Sequence, residues 1–370
     1  MVLKSIKLSN FRLHKDTKLE FSDNLNYIAG GNGQGKTTIL EAIYYLCTSR
    51  SLSGSPDSEV TSFGCEFFEV GGTFSDLASN DVRIYYDSNA GKKSMFLDDK
   101  QFYRASGIIG RFPVVTLVQE DHAITMGSPG DRRKFVDSVI SQASSAYLKI
   151  LIEYNKTLRQ RSFLLSQIKE NNSPKLFNQL SAWNATLVKN GSELIRHRLA
   201  FIERFNEYLS NSYSRVMESK EIPAIHYSFH DETDKDKIEE TFYDKLSELK
   251  DDELRRAVNL VGPHRDEFYF MINDRELRKY GSQGQHKTFQ IALRFGEFFF
   301  LKDALGKSAL FLLDDVFGEL DTFRAGRISE YLKEVGQAFI TMTDFSKSEL
   351  LKRTGEDLLM NVSGGNVSYA

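Results

Sequence analysis

Eight residues, Gly30-Gly31-Asn32-Gly33-Gln34-Gly35-Lys36-Thr37, constrain this 370-residue chain more than any other stretch. They fit G-x-x-x-x-G-K-[ST], the phosphate-binding loop of ATP and GTP hydrolases. A short apolar run, Leu25 to Ala29, precedes the loop and reads as a strand, and Thr38 to Leu46 follows with apolar residues at helical spacing. Strand, glycine loop, helix is the context that the motif requires. The glycines let the backbone wrap close to a phosphate chain with its N–H groups turned inward. The N-terminus of the following helix adds partial positive charge. The expected nucleotide contacts are therefore Gly30, Gly31, Asn32, Gly33, Gln34, Gly35, Lys36, Thr37 and Thr38. Lys36 would reach the β- and γ-phosphates and the Thr37 hydroxyl would ligate Mg²⁺, which makes a nucleoside triphosphate with Mg²⁺ the expected cofactor.

The length allows one large domain or two ordinary ones. Hydrophobic residues at 41% and charged residues at 27% suit a soluble globular protein. The longest apolar runs, Phe298 to Leu301 and Ala309 to Leu313, are too short to span a bilayer, so no membrane is expected. The start is charged and lacks the apolar core of a signal peptide, and two cysteines, Cys47 and Cys65, make no disulfide framework. A cytoplasmic location is the default. The net charge is −3, but it is uneven: residues 131–220 carry +7 and residues 221–256 carry −6. Such asymmetry allows a basic face on a protein that is not a polycation, although a solvated helical face has the same composition.

Residues 1–21 read as an antiparallel hairpin, and 67–97 as a small antiparallel sheet with turns. Phe112 to Val118 reads as a buried strand with Gln119-Glu120-Asp121 at its carboxyl end, where ligands sit in parallel sheets. Residues 131–209 are helical, with a break at Asn171-Asn172-Ser173-Pro174. At about 1.5 Å per residue this stretch makes a lobe of antiparallel helices and cannot make a coiled coil hundreds of Å long.

Further on, Tyr280-Gly281-Ser282-Gln283-Gly284-Gln285 precedes a helix, and Ser282 is placed to cap it and leave N–H groups for an anion. Leu310 to Leu313, with Ala309 before it, is a buried strand ending in Asp314-Asp315. Opposite a phosphate loop, Asp314 would hold Mg²⁺ and Asp315 would orient the attacking water.

Phosphate loop, Ser282-Gln283-Gly284-Gln285, Asp314-Asp315 and Glu319-Leu320-Asp321, in that order, resemble the ABC-type ATPases. The interval of close to 250 residues between loop and signature is much longer than in transporter ATPases. Asn10-Phe11-Arg12, Ser128 to Asp137, Val261-Gly262-Pro263-His264-Arg265-Asp266 and Leu312 to Asp321 narrow the resemblance to the RecF family, relatives of the SMC and Rad50 heads that lack their long coiled coil. The resemblance implies an α/β fold: an ABC-type P-loop ATPase core, made of a mixed sheet with helices plus an antiparallel β subdomain, with an inserted helical lobe. It divides the chain into 1–130, the first part of the core; 131–256, the lobe with its acidic connector; and 257–370, the part with signature, acidic strand and D-loop.

The same resemblance implies ATP as the nucleotide and a homodimer formed on ATP binding, in which Ser282, Gly284, Gln285 and Asp321 complete the partner's nucleotide site. It implies binding to double-stranded DNA, single-stranded DNA and gap junctions, partnership with RecR and RecO in loading RecA, roles in repair, replication restart and the SOS response, and a slow DNA-stimulated ATPase. Arg12 would lie beside the nucleotide. Gln119 would sit at the Q-loop position, on the metal and catalytic side, with Glu120 the alternative, since Gln119-Glu120-Asp121 stands where Pro-Glu-Asp is expected. Thr343 replaces the switch histidine, and Asp315 stands where most relatives carry Glu. The catalytic set is thus Lys36, Gln119, Asp314 and Asp315, and the metal set Thr37, Asp314 and Gln119. Arg132, Arg133, Lys134, Arg159, Arg161, Arg196, Arg198 and Arg204 are candidate DNA contacts on charge alone. A transporter-type ATPase subunit and a DNA scaffold that binds ATP without turnover are the competing functions.

Overall fold

The computed structural model describes residues 1–171, 173–217, 220–343 and 354–369. The chain divides into two compact units, each discontinuous in sequence: Met1–Asp121, Asn211–Ser219 and Ile291–Ala370 in the first, His122–Ser210 and Lys220–Gln290 in the second. In chain order it runs β1 (Val2–Phe11), β2 (His14–Glu20), β3 (Leu25–Ala29), α1 (Lys36–Thr48), α2 (Asp57–Val60), β4 (Phe67–Ser75), β5 (Ser79–Asp87), β6 (Lys92–Leu97), β7 (Lys100–Phe102) and β8 (Val114–Leu117). Then come α3 (His122–Met126), α4 (Pro129–Ala143), α5 (Ser145–Glu170), α6 (Pro174–Val216), β9 (Pro223–Tyr227), α7 (Ile238–Glu248) and α8 (Lys250–Arg256). The last stretch holds β10 (Phe268–Ile272), β11 (Arg275–Glu276), α9 (Leu277–Tyr280), α10 (Gln283–Leu305), β12 (Leu310–Leu313), α11 (Thr322–Leu332), β13 (Ala338–Met342), β14 (Leu358–Ser363) and β15 (Asn366–Tyr369).

Two six-stranded sheets build the first unit. One is antiparallel, in the order β2-β1-β4-β5-β6-β7. The spacing of Leu3, Ile6 and Leu8 fits no strict alternation, yet all three are buried, because the pairing of β1 with β4 shifts register between Leu3 and Ser5. Such a bulge restores the inward set after one extra residue. The other sheet has the order β15-β14-β3-β13-β12-β8. Its strands are parallel except β15, and β3, β8, β12 and β13 are buried at every position, as strands covered on both faces are. Their carboxyl ends therefore share one edge. α1 packs on β1, β4 and β5 of the first sheet and on β13 of the second, and Ile39, Leu40, Ile43 and Leu46 join both into one apolar core.

The second unit is mainly helical. α5 and α6 have 26 and 43 residues, and the sequence break between them is where α5 ends and Pro174 opens α6. Leu164, Leu165, Ile168 and Leu180 pack together, with Trp183 and Leu254 against them. A three-stranded antiparallel sheet, β11-β10-β9, completes the unit. Among the described residues no helix is long and apolar enough to cross a membrane.

Candidate nucleotide site

The glycine loop joins β3 to α1, and Gly30, Gly33 and Gly35 each answer a local demand. Gly33 and Gly35 have φ of 73° and 107°, where a Cβ is strained. A Cβ on Gly30 would lie 2.3 Å from the carbonyl oxygen of Val362 in β14, so only glycine lets that neighbouring strand approach. Gly35 stands at the N-cap of α1 with no side-chain cap, which leaves the first-turn amides to another partner. Gly31, Asn32, Gly33 and Thr37 are exposed, whereas Lys36 is buried. The Lys36 ammonium donates to the carbonyls of Gly30 and Gly31 at 2.6 and 2.8 Å, so the loop is closed around its own lysine.

Asp314 follows the last residue of β12. Its two carboxylate oxygens accept from the Thr37 hydroxyl at 2.9 and 3.0 Å, across 277 residues of chain. The sequence reading missed a third member, Thr341. Its hydroxyl donates to Asp314 Oδ1 at 2.6 Å and accepts from the backbone N–H of Asp315 at 2.9 Å. The available signal was a polar residue inside the apolar run of β13, where Thr341 is completely buried. Asp315 itself has φ 48°, a left-handed conformation rare for a residue with a side chain. Thr343 is described; Asp344, beside it in the expected switch segment, lies outside the described residues.

β8 is the parallel neighbour of β12, with Leu117 opposite Leu313, so Gln119 and Asp314 leave the same edge of the sheet on adjacent strands. Gln119 and Glu120 are both exposed, and Asp121 is buried and paired with Arg294 of α10, which also holds Glu297. Burial pushes the Glu297 carboxyl up to about 7, against the pull of the Arg294 charge. Arg12, in a left-handed turn after β1, is held by both carboxylate oxygens of Glu41 on α1 at 2.9 and 3.0 Å, with further donation to the Glu59 carbonyl and the Ser53 hydroxyl.

Ser282 and Gln285 belong to the second unit and form a reciprocal cap on α10. The Gln285 amide N–H donates to Ser282 Oγ at 3.2 Å, and the Ser282 N–H donates to Gln285 Oε1 at 2.8 Å. The helix begins at Gln283, inside the Tyr280–Gln285 segment expected to precede it, so Gly284 lies in its first turn. Asp321 caps α11, accepting from the Arg324 N–H at 2.9 Å.

The basic residues of the helical unit require a correction. Arg132, Arg161 and Arg198 are buried and engaged with Glu267, with Glu253 and with Asp137 and Asp266 respectively, so they present no charge to a DNA phosphate. Burying an arginine demands a paired carboxylate, and composition alone cannot reveal such pairs. Lys134, Arg159 and Arg204 are exposed. Arg198 also explains two of the motifs: it bridges Asp137, at the end of the Ser128 segment, to Asp266 and the Pro263 carbonyl of the Val261–Asp266 segment.

The donor set fits a magnesium nucleotide. Among the described residues no group of three or more His, Cys, Asp or Glu is placed to hold a metal ion. A hydroxyl and one carboxylate in contact, beside a loop of exposed amides, suit a hard cation that takes its other oxygens from phosphates and water.

The chain matches an AAA domain family over residues 5–280. It is 39% identical to the DNA replication and repair protein RecF of Chloroherpeton thalassium, over 93% of this chain and 95% of that one. It is 36% identical to the protein of that name from Chlorobium phaeobacteroides, over 97% and 100%. The solved recombination mediator protein RecF-ATP in the RecFOR pathway superposes with a TM-score of 0.90 at 32% identity, covering 100% of this chain and 97% of that one. The Smc head domain of Pyrococcus furiosus superposes with a TM-score of 0.59 at 15% identity, which extends the likeness to the ABC-type head fold alone. With this identity sustained along nearly its whole length, the chain belongs to the RecF family of DNA replication and repair proteins.

Proposed function

We propose that the chain is an ATP-driven, DNA-binding switch of recombinational repair. The observation that carries this reading is the contact of Thr37 with Asp314, which joins the phosphate loop to the acidic strand. The RecF-ATP relative supports ATP as the nucleotide. Lys36 would exchange the Gly30 and Gly31 carbonyls for phosphate oxygens. Thr37 and Asp314, with Gln119 or Glu120 at the neighbouring strand end, would hold Mg²⁺, while Thr341 keeps the Asp314 carboxylate oriented. Asp315 would orient a water, and Arg12 would lie beside the nucleotide. Bound Mg²⁺ would supply charge neutralisation between the phosphates. Ser282, Gly284, Gln285 and Asp321 would complete the site of a second copy, so that ATP closes a homodimer. The division into 1–130, 131–256 and 257–370 is on this reading a division by role, since it counts the signature with the core.

The closed dimer would grip double-stranded and single-stranded DNA and gap junctions through phosphate contacts, and act with RecR and RecO to load RecA in repair, replication restart and the SOS response. Membership of the RecF family and the RecFOR context of the solved relative support this part. A weak, DNA-stimulated ATPase suits a switch that lacks a histidine at Thr343. ATP turnover and dimer formation, measured with and without gapped DNA, test the proposal. Dimers and turnover that ignore both ATP and DNA would overturn it.

A further inference from the structure

The glycine loop is supported from behind by two turns that no motif includes. β14 pairs with β3 in parallel, with Asn361 opposite Ala29, so the β14–β15 hairpin grows directly beside the loop. Its turn, Gly364-Gly365, has φ of 56° and 79°. The Gly364 N–H donates to the Gln34 side-chain oxygen at 2.6 Å, and the Gly365 N–H donates to the Gln34 carbonyl at 3.0 Å. On the other side stands the turn between β1 and β2. His14 is completely buried there, with Nε2 3.2 Å from the Gly35 carbonyl and Nδ1 3.1 Å from the Thr17 hydroxyl. A carbonyl only accepts, so Nε2 carries the proton and Nδ1 accepts from Thr17. Burial holds the His14 pKa below its usual value and keeps the ring in this neutral form.

The two turns also touch each other. A Cβ on Gly365 would come 2.8 Å from the Leu13 carbonyl, and a Cβ on Gly35 would come 3.1 Å from His14 Nε2. Leu13-His14, Gln34-Gly35 and Gly364-Gly365 are thus three backbone turns packed closely at Gly35 and Gly365, where a side chain would crowd its neighbour. The bonds fall on Gln34 and Gly35, the two residues just before Lys36, and fix the peptide planes that enter α1. A loop held in its binding geometry loses less entropy when a ligand arrives.

We infer that His14 and the Gly364-Gly365 turn form a brace that sets the nucleotide affinity of the phosphate loop, with His14 and Gln34 as positioning residues. The brace takes a second function for the β14–β15 hairpin beyond closing the edge of the sheet. It rests on the ATP reading above for its ligand, and its geometry stands without it.

The test uses the full chain and the variants His14→Ala, His14→Gln, Gly365→Ala and Lys36→Ala. Binding of a fluorescent ATP analogue with Mg²⁺ is measured at a temperature where circular dichroism shows every variant folded. His14→Ala and Gly365→Ala should each raise Kd at least tenfold, and His14→Gln, whose amide N–H can donate to Gly35, should recover most of the loss. Wild-type Kd in both His14→Ala and Gly365→Ala, even with a lowered Tm, would overturn the brace and leave these residues a structural role only. Amide hydrogen exchange over residues 30–37 of the nucleotide-free protein separates the two proposals. Faster exchange in His14→Ala and Gly365→Ala supports the brace whether or not ATP is the ligand, and unchanged exchange overturns it. Loss of binding in Lys36→Ala bears on the ATP reading alone.

Discussion

Thr341 donates its hydroxyl proton to Asp314 at 2.6 Å and receives the N–H of Asp315 at 2.9 Å, so one buried hydroxyl fixes both acidic residues. Thr341→Val keeps the shape and removes both bonds. The Asp315 N–H then loses its partner, and Asp314 is free to turn away from Thr37. ATP turnover should fall by roughly 10- to 100-fold, the usual effect of losing a residue that orients a metal ligand. ATP binding should change less. A steady-state ATPase assay beside a binding titration checks this, and equal losses in both would contradict it.

Asp315 sits in a left-handed conformation, which aims it from the end of β12 independently of Asp314. Asp315→Asn should leave nucleotide binding near wild type and lower turnover by about 10²- to 10⁴-fold, the range for removing a general base. Single-turnover hydrolysis of ATP is the measurement. An unchanged rate would remove Asp315 from the catalytic role.

Ser282 caps α10 through Gln285, so its loss has a local and a functional consequence. Ser282→Ala should destabilise by about 1 kcal/mol as a lost N-cap. On the proposed shared site, Ser282→Arg should in addition abolish ATP-dependent dimerisation, because a long side chain would block the helix end proposed to meet the partner's nucleotide. Light scattering with and without ATP reads the dimer, and dimers that survive Ser282→Arg would contradict the shared site.

The ion pair of Arg161 with Glu253 is the clearest stability element of the helical unit. Both side chains are almost fully buried, and Asn184 and Asn259 accept further guanidinium protons. Glu253→Gln leaves the Arg161 charge uncompensated and should destabilise by about 3 kcal/mol. Chemical denaturation monitored by circular dichroism would show the change.

His264 gives the fold a specific acid sensitivity. Its Nδ1 lies 2.8 Å from the Tyr154 hydroxyl and its Nε2 3.2 Å from the Asn259 carbonyl, so the neutral ring is fully used as one acceptor and one donor. Burial and the nearby arginines lower its pKa to about 4. The unfolded chain, near 6.5, binds this proton first, so the contribution of His264 is present above pH 6.5 and is lost as pH falls towards 4. Glu297 drifts the other way in much the same window, which makes a difference measurement necessary. The Tm advantage of wild type over His264→Gln should shrink from pH 6.5 to pH 4 by differential scanning fluorimetry. A constant advantage would contradict the assignment.

Local chemistry by itself determined a large part of this protein. The Gly30–Thr37 loop, the strand before it and the helix after it follow from φ/ψ freedom at glycine and from apolar periodicity, and Leu310–Leu313 ending in Asp314 is legible for the same reason. The order of these motifs along the chain was enough to indicate the family. Tertiary structure decided what depends on residues distant in sequence. Thr341 was invisible because a lone threonine in an apolar strand has no periodic signature, and its meaning comes from Asp314 on the adjacent strand. His14 lies in the hairpin of residues 1–21 with no local signal, and its meaning comes from the Gly35 carbonyl 3.2 Å from its ring. Arg161 and Arg198 counted as surface charge until their carboxylate partners, 92 and 61 residues away, drew them inside. Composition records how many charges a segment has, but only packing determines which of them lose their water, because that depends on whether a distant partner supplies the compensating bond.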